Sequence, residues 1–293
     1  MPSARQRKLR AVSPSAIGEE RHVTAGGQRI RVNVREGTGV PLVLCNGIGA
    51  SLEVFQPFVD ALDRRRPVIR FDMPGVGGSP EPVVPYHLHM LGSLLAALLD
   101  QLGYAQVDVL GISCGGGLAQ QFALSRPDRV RRLVLVATGT GALMVPGNPR
   151  ILWRMLSPRR HRDPEYAARV AGDLYGGRAR TDPAVARDLL HATSRLGPAR
   201  GYYYQLLSGW GWTSLPWLRR LRPPTLILAG DDDPIIPLAN ARLMAALLPA
   251  ARLHVYPDGH LGLLTRAGEL ASVVSEFLLA VEPVEPCARR EVQ

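Results

Sequence analysis

The segment VDVLGISCGGG, residues 107–117, decides the fold of this chain. Its first half, Val107–Ile112, is a short apolar run that is typical of a buried strand. Its second half places Ser113 in the pattern Gly-x-Ser-x-Gly, directly before a helical pattern at 116–125. A serine on such a sharp turn is exposed at the end of the strand, and small residues on both sides let strand and helix approach each other. The segment therefore predicts a strand, a tight turn with Ser113 as nucleophile, and a helix.

Cys114 is a competing nucleophile, because a thiolate reacts more readily than a hydroxyl group. Its position in the pattern is unfavourable, since Ile112 rather than glycine stands two residues before it. As the residue after the nucleophile, Cys114 is expected to offer its backbone N–H to the oxyanion of the tetrahedral intermediate. We therefore predict a packing role for the Cys114 thiol.

Outward from this segment, short apolar runs alternate with helical patterns along most of the chain. The runs are rich in valine, isoleucine and leucine and do not alternate with polar residues, as expected for parallel strands covered on both faces. This rhythm predicts an α/β fold with a doubly wound, mostly parallel sheet. The predicted strands are 28–34, 41–45, 67–72, 107–112, 132–137, 225–229 and 252–256, and the predicted helices are 91–102, 116–125, 239–248 and 268–281.

More than 80 residues without a clear strand separate the predicted strands 132–137 and 225–229. A structureless loop of this length is improbable in a compact domain. We therefore predict a helical cap at 144–221, inserted into a core formed by residues 20–143 and 222–281, with flexible termini at 1–19 and 282–293. The cap holds most of the aromatic residues, and Trp210, Trp212 and Leu206 are candidates for lining a substrate pocket. The alternative is that these side chains only pack the cap onto the core.

Three further loops carry candidate catalytic groups. The loop after strand 41–45 reads Asn-Gly-Ile-Gly, and its glycines let backbone N–H groups face an oxyanion, with Ile48 as the expected donor. The alternative there is a plain glycine-rich turn. Asp231, Asp232 and Asp233 follow strand 225–229, and the residues alone do not decide which of them orients a base. His260 lies past the last strand and completes the order serine, aspartate, histidine.

The composition narrows the class of protein. The chain has 293 residues, and 46% of them are hydrophobic, which is enough for a large core. The formal net charge is +10, but Lys8 is the only lysine and the arginines are scattered, so a nucleic-acid-binding role is not expected. Three cysteines at unrelated spacings indicate neither a metal site nor a disulfide framework. The chain shows no apolar run long enough for a membrane span and no secretory signal, so we expect a cytoplasmic protein.

At these residues the chain resembles the α/β-hydrolase superfamily, and more closely the bacterial intracellular medium-chain-length polyhydroxyalkanoate depolymerases. The similarity extends from about residue 28 to 280 and includes the cap, which usually varies with the substrate. The matching stretches are 46–50, FDMPGVGGS at 71–79, 111–122 ending in LAQQF, GALMVPGNP at 141–149, LSPRR at 156–160, GWTS at 211–214, LAGDDDP at 228–234 and DGHL at 258–261.

The resemblance implies Ser113 as nucleophile, His260 as base and Asp233 as the orienting acid, because the superfamily's acid is commonly the third residue after the glycine that ends its strand, here Gly230. It implies a serine hydrolase without metal or organic cofactor, acting on the polyester of cytoplasmic storage granules. The family usually has tryptophan directly after the nucleophile, where this chain has Cys114, so a larger space beside the serine is expected.

The sequence leaves three alternatives open. A general carboxylesterase, or another small-acyl hydrolase such as a carbon–carbon bond hydrolase, would use the same triad. A non-catalytic granule-binding protein belongs to a different class, and the intact Ser113, Asp233 and His260 argue against it. An acyltransferase or polyester synthase is disfavoured, because polyester synthases carry cysteine at the elbow position that Ser113 occupies. The sequence does not predict an oligomeric state.

Overall fold

The structure of the protein, a computed structural model, describes residues 18–191 and 195–280. In this part of the chain, eight strands form one sheet in the spatial order β1-β2-β4-β3-β5-β6-β7-β8. Strands β3 to β8 are parallel, whereas β2 pairs antiparallel with both β1 and β4. The strands are β1 (Glu19–Ala25), β2 (Gln28–Arg35), β3 (Leu42–Cys45), β4 (Val68–Phe71), β5 (Val107–Ile112), β6 (Val130–Val136), β7 (Thr225–Gly230) and β8 (Ala251–Tyr256).

Helices cover both faces of this sheet and fill the segment between β6 and β7. Six of them, α4 to α9, lie within the segment 144–221, which we call the cap. The helices are α1 (Gln56–Ala61), α2 (Leu88–Leu102), α3 (Cys114–Ser125), α4 (Pro149–Met155), α5 (Arg159–Arg162), α6 (Pro164–Tyr175), α7 (Arg178–Thr181), α8 (Ala184–His191), α9 (Ala199–Ser208), α10 (Leu238–Leu247), α11 (Gly262–Thr265) and α12 (Ala267–Leu279).

The central strands are buried on both faces, which explains their continuous apolar runs. Successive side chains of a strand point to opposite faces of the sheet. In β5, Val109 belongs to an apolar cluster with Leu95 of α2 and Phe122 of α3. The next residue, Leu110, belongs to a second cluster with Phe277 of α12. The predicted α/β class with a mostly parallel, doubly wound sheet is confirmed.

The amino-terminal strand β1 was not among the predicted strands. Its side chains are mostly exposed, so it carries no apolar run. The signal that could have revealed it is the pair Gly26-Gly27, which has φ values of 55° and 78° and joins β1 to β2 by a two-residue turn. Two consecutive residues with positive φ are typical of the tight turn of a β-hairpin.

The predicted flexible termini fall almost entirely outside the described residues. Residues 1–17 and 282–293, including Cys287, lie outside them, whereas Glu19 begins β1, one residue before the predicted start of the core. Among residues 18–191 and 195–280, we find no helix with the length and apolar character that crossing a bilayer requires.

Candidate active site

Ser113 occupies a strained turn between β5 and α3. Its φ and ψ are 55° and −122°, a region that side-chain-bearing residues rarely adopt. Its backbone N–H donates to the carbonyl oxygen of Val136 on the neighbouring strand over 2.9 Å. A β-carbon placed on Gly111 would lie 2.2 Å from the carbonyl oxygen of Gly115, and one on Gly115 would lie 2.1 Å from that of Cys45. The glycines of the motif are therefore required by close backbone packing around the serine.

His260 and Asp233 form a hydrogen-bonded pair in the buried loops that follow β8 and β7. The Nδ1 atom of His260 lies 2.8 Å from Oδ2 of Asp233. The other carboxylate oxygen, Oδ1, accepts the backbone N–H groups of Ile235 and Ile236, each over 2.9 Å. These contacts fix the carboxylate, and the carboxylate fixes the imidazole ring, which lines the same pocket as Ser113. Such an arrangement can hold a histidine with Nε2 available to a serine hydroxyl.

The other two aspartates of this loop have different surroundings. Asp232 forms a two-point ion pair with Arg180 of the cap, with distances of 2.6 and 3.0 Å, and accepts the N–H of Gly177. The hydrogen bond from Arg180 holds the pKa of Asp232 below its usual value. Asp231 is exposed to solvent. Of the three carboxylates, Asp233 is the one that contacts His260.

The two predicted oxyanion donors, the backbone N–H groups of Cys114 and Ile48, belong to segments that adjoin Ser113. Cys114 is the first residue of α3, so its N–H belongs to the positive end of the helix dipole. A β-carbon on Gly47, which precedes Ile48, would lie 3.4 Å from Cβ of Ser113, so this loop passes directly over the serine. Among the described residues, neither the N–H of Cys114 nor that of Ile48 donates to a protein acceptor.

The Cys114 thiol is held in its protonated form. Burial raises its pKa to about 11, although Ser208 beside it acts in the opposite direction. We therefore expect Cys114→Ala and Cys114→Ser to keep kcat/KM for a p-nitrophenyl ester within about threefold of wild type, because both variants preserve the backbone N–H. Abolished turnover in Cys114→Ala, or inactivation by iodoacetamide while Ser113→Ala stays active, would overturn this expectation.

The pocket beside Ser113 has a volume of about 460 Å³, including its part open to solvent. Its wall contains Ser113 and His260 together with mostly apolar side chains from both core and cap. The apolar ones are Ile48, Ala50, Val54, Ile112, Met155, Leu190, Leu261 and Leu264. This lining can accept an alkyl group next to the serine.

The cap residues predicted to line a pocket lie elsewhere. Trp212 is buried in the core, where its Nε1 donates to Oε1 of Gln121 on α3 over 2.8 Å. Trp210 is 79% exposed, and Leu206 is half-buried on α9. None of these three side chains contributes to the wall of the pocket at Ser113. The Trp212 ring lies against α3 at Gly117 and Gln121, and the bridge between Gly141 and Thr213 follows directly after it, so this end of the cap packs on α3.

Other cap residues reach the site, and the sequence analysis did not single them out. The carbonyl oxygen of Tyr175 accepts the backbone N–H of His260 over 2.7 Å. Arg160 and His161, on the short helix α5, line the pocket together with Tyr175. In the sequence nothing distinguishes Arg160 from its neighbour Arg159, because their exposure depends on how α5 packs.

Known proteins share the family and the fold of this chain. A family model described as alpha/beta hydrolase fold matches residues 40–267. The chain is 51% identical over 261 residues to a poly(3-hydroxyalkanoate) depolymerase from Ectopseudomonas oleovorans, a match that covers 88% of this chain and 92% of that protein. It is 28% identical to a 2-hydroxymuconate semialdehyde hydrolase from Pseudomonas sp. (strain CF600), over 88% of this chain and 93% of that one.

Solved structures share the fold at lower sequence identity. The enol-lactonase from Burkholderia xenovorans LB400 superimposes with a TM-score of 0.75 at 23% identity, covering 89% of this chain and all of the lactonase. The meta-cleavage product hydrolase from Pseudomonas fluorescens IP01 gives the same TM-score and identity, with 90% and 98% covered. At this identity the likeness concerns the fold alone. The family model matches more than half of this chain, and the chain therefore belongs to the alpha/beta hydrolase fold family.

Proposed function

We propose that the protein is a serine hydrolase that cleaves ester bonds of poly(3-hydroxyalkanoate). The observation that carries the substrate assignment is the 51% identity to a poly(3-hydroxyalkanoate) depolymerase, which extends over 92% of that enzyme and through the cap. The hydrogen bond between His260 and Asp233, in a pocket shared with Ser113, supports the chemistry. Residues 144–221 act in this proposal as a cap on a hydrolase core formed by residues 20–143 and 222–281.

The proposed reaction has two steps. Ser113 Oγ attacks the ester carbonyl while His260 Nε2 takes its proton, and the N–H groups of Cys114 and Ile48 bind the oxyanion. His260 then passes the proton to the departing alcohol oxygen, leaving an acyl-serine ester. Water attacks this ester by the same route, and the acid is released. Asp233 holds the histidine tautomer and stabilises the imidazolium. No step requires a metal ion or an organic cofactor.

The apolar wall at Ser113 favours monomers with alkyl side chains longer than methyl. Burying one further methylene group contributes roughly 0.8 kcal/mol, which corresponds to about fourfold in specificity. Three further carbons therefore give at most about 50-fold in kcat/KM. In this proposal the enzyme acts on medium-chain-length polyester in the cytoplasm, at the surface of storage granules, and has no nucleic-acid partner.

We expect the purified protein to release monomer faster from granules of medium-chain polyester than from granules of 3-hydroxybutyrate polymer. Its rates with p-nitrophenyl esters of two to twelve carbons should peak above four carbons, because the alkyl chain enters the apolar pocket. Ser113→Ala, run on the same granules, measures release that does not depend on the enzyme. A peak at two to four carbons with no monomer from medium-chain granules would instead indicate a general carboxylesterase.

A further inference from the structure

A buried positive charge stands beside the proposed catalytic serine. Arg160 of α5 is 3% exposed, and its side chain lines the pocket that Ser113 and His260 share. Its Nη2 donates to the carbonyl oxygen of Ile48 over 3.3 Å. Gly47, the residue before Ile48, adjoins Ser113, so the guanidinium contacts the loop that passes beside the serine.

The acceptors around Arg160 are all neutral. Nη1 donates to the Tyr202 hydroxyl over 2.6 Å, and the Tyr175 hydroxyl lies beside the guanidinium. A guanidinium carries five N–H groups. Three acceptor oxygens, those of Tyr202, Tyr175 and Ile48, are fewer than these groups can use. The Nε atom of Arg160 is buried and has no partner, which is also true of Nε in Arg31. No Asp or Glu of residues 18–191 and 195–280 forms an ion pair with Arg160.

Two other buried arginines lie away from this pocket and have different partners. Arg31 forms ion pairs with Glu20, Glu53 and Asp72. Arg35 donates through Nε, Nη1 and Nη2 to backbone carbonyl oxygens, and neither side chain lines the pocket at Ser113. All three donor nitrogens of Arg35 reach carbonyl oxygens, whereas Nε of Arg160 has no partner and its side chain lines a binding pocket. A guanidinium with unused N–H groups in a pocket can bind an anionic group of a ligand.

The neighbouring histidine supplies no compensating charge. Burial, together with the charge of Arg160, holds the pKa of His161 well below its usual value, so its ring is neutral at physiological pH. The carboxylate of Asp233 is already engaged by His260 and two backbone N–H groups. The pocket therefore offers a fixed positive charge on the side of the oxyanion loop.

We propose that Arg160 binds the free terminal carboxylate of a 3-hydroxyalkanoate chain, so that the ester next to that end is cleaved first. This inference rests on the proposed function. In such a polyester, the alcohol oxygen of each ester is joined by three bonds to the next carboxyl carbon. A terminal carboxylate on Arg160 would therefore bring the last ester to Ser113.

Cleavage of the last ester transfers the acyl group to Ser113 and releases one monomer. The carbonyl carbon forms a bond to Ser113 Oγ and loses its bond to the alcohol oxygen, which receives the serine proton through His260. The departing molecule is one free 3-hydroxyalkanoate, held by its carboxylate. Water then hydrolyses the acyl-serine, and the shortened chain carries a new terminal carboxylate that Arg160 can bind in the next cycle.

The test compares a linear 3-hydroxyoctanoate trimer that has a free carboxyl end with its methyl ester. Wild type should cleave the free acid with a kcat/KM about 10-fold to 100-fold higher, the range given by one charged hydrogen-bonding contact. Arg160→Gln should bring the ratio of kcat/KM between the free acid and its methyl ester close to one. The ratio is the measured quantity because Arg160 also contacts the carbonyl oxygen of Ile48, so the absolute rates on both trimers are expected to change as well. Arg159→Gln, which changes an exposed neighbour on the same helix, is the matched control and should keep the preference.

Equal rates of wild type on the two trimers would overturn the proposal, whether or not Arg160→Gln folds. An equal loss in Arg160→Gln on all three substrates would also overturn it, because that result indicates a purely structural role. Failure of the depolymerase assignment gives a different result, in which p-nitrophenyl esters are hydrolysed and neither trimer is.

Discussion

Replacing Ser113 with alanine is expected to lower kcat/KM for ester hydrolysis by a factor on the order of 10⁴ to 10⁶. The loss is large because serine and histidine act as one unit, so that removing the nucleophile leaves only binding and the oxyanion contacts. The fold should persist, since the backbone contacts of residue 113 with Val136 and Thr138 do not involve its hydroxyl. The φ of 55° at residue 113 is equally unfavourable for alanine and for serine, so the substitution adds no backbone strain.

The measurement combines initial rates on p-nitrophenyl octanoate with thermal unfolding and labelling by a fluorophosphonate probe. Ser125→Ala, at the other end of α3, is the matched control, because its hydroxyl donates to the carbonyl oxygen of Phe122 in the same helix and lies outside the wall of the pocket at Ser113. Wild type and Ser125→Ala should be labelled and active, and Ser113→Ala should be neither. Near-normal turnover by a folded Ser113→Ala protein would show that another group is the nucleophile.

Much of the core could be predicted because its determinants are local. The strand 107–112 was predicted with its observed bounds, since a buried parallel strand is apolar throughout and the glycines after it mark the turn. The hairpin strand β1 could not be found in this way, because its side chains are exposed and it is held mainly by backbone pairing with β2. Its only sequence signal was the pair Gly26-Gly27.

The site was less predictable wherever it depends on contacts between distant segments. The residues alone did not show which of three consecutive aspartates orients the histidine, and only the resemblance to a known family indicated Asp233. The three carboxylates differ in their partners, and these are distant in the sequence: Arg180, which pairs with Asp232, is 52 residues away. The pocket lining was predicted from the aromatic residues at 210 and 212, whereas the wall at Ser113 is mostly aliphatic and takes Arg160, His161 and Tyr175 from the cap. The presence of an aromatic residue in the sequence does not tell whether its side chain is buried. Trp212 is buried because it packs on α3, whereas Trp210, two residues earlier, is exposed.

The second large effect is expected for Asp233→Asn, which should lower kcat by about 10⁴-fold. Its Oδ1 position accepts two backbone N–H groups, so the oxygen of the new amide will occupy that position. The amide NH₂ group must then face His260 Nδ1, which can accept its hydrogen bond only if the ring proton moves to Nε2. A histidine with its proton on Nε2 cannot take the proton of Ser113.

The neighbouring aspartates provide controls within the same loop. Asp232→Asn removes an ion pair with Arg180 in which both side chains are 46% exposed, and such a pair stabilises a fold by no more than about 1 kcal/mol. Asp231→Asn changes an exposed carboxylate. We expect both to stay within about tenfold of wild-type kcat, because neither carboxylate contacts the imidazole. A larger loss in either variant than in Asp233→Asn would transfer the orienting role to that residue, since all three substitutions remove one negative charge and differ only in the contacts that it makes.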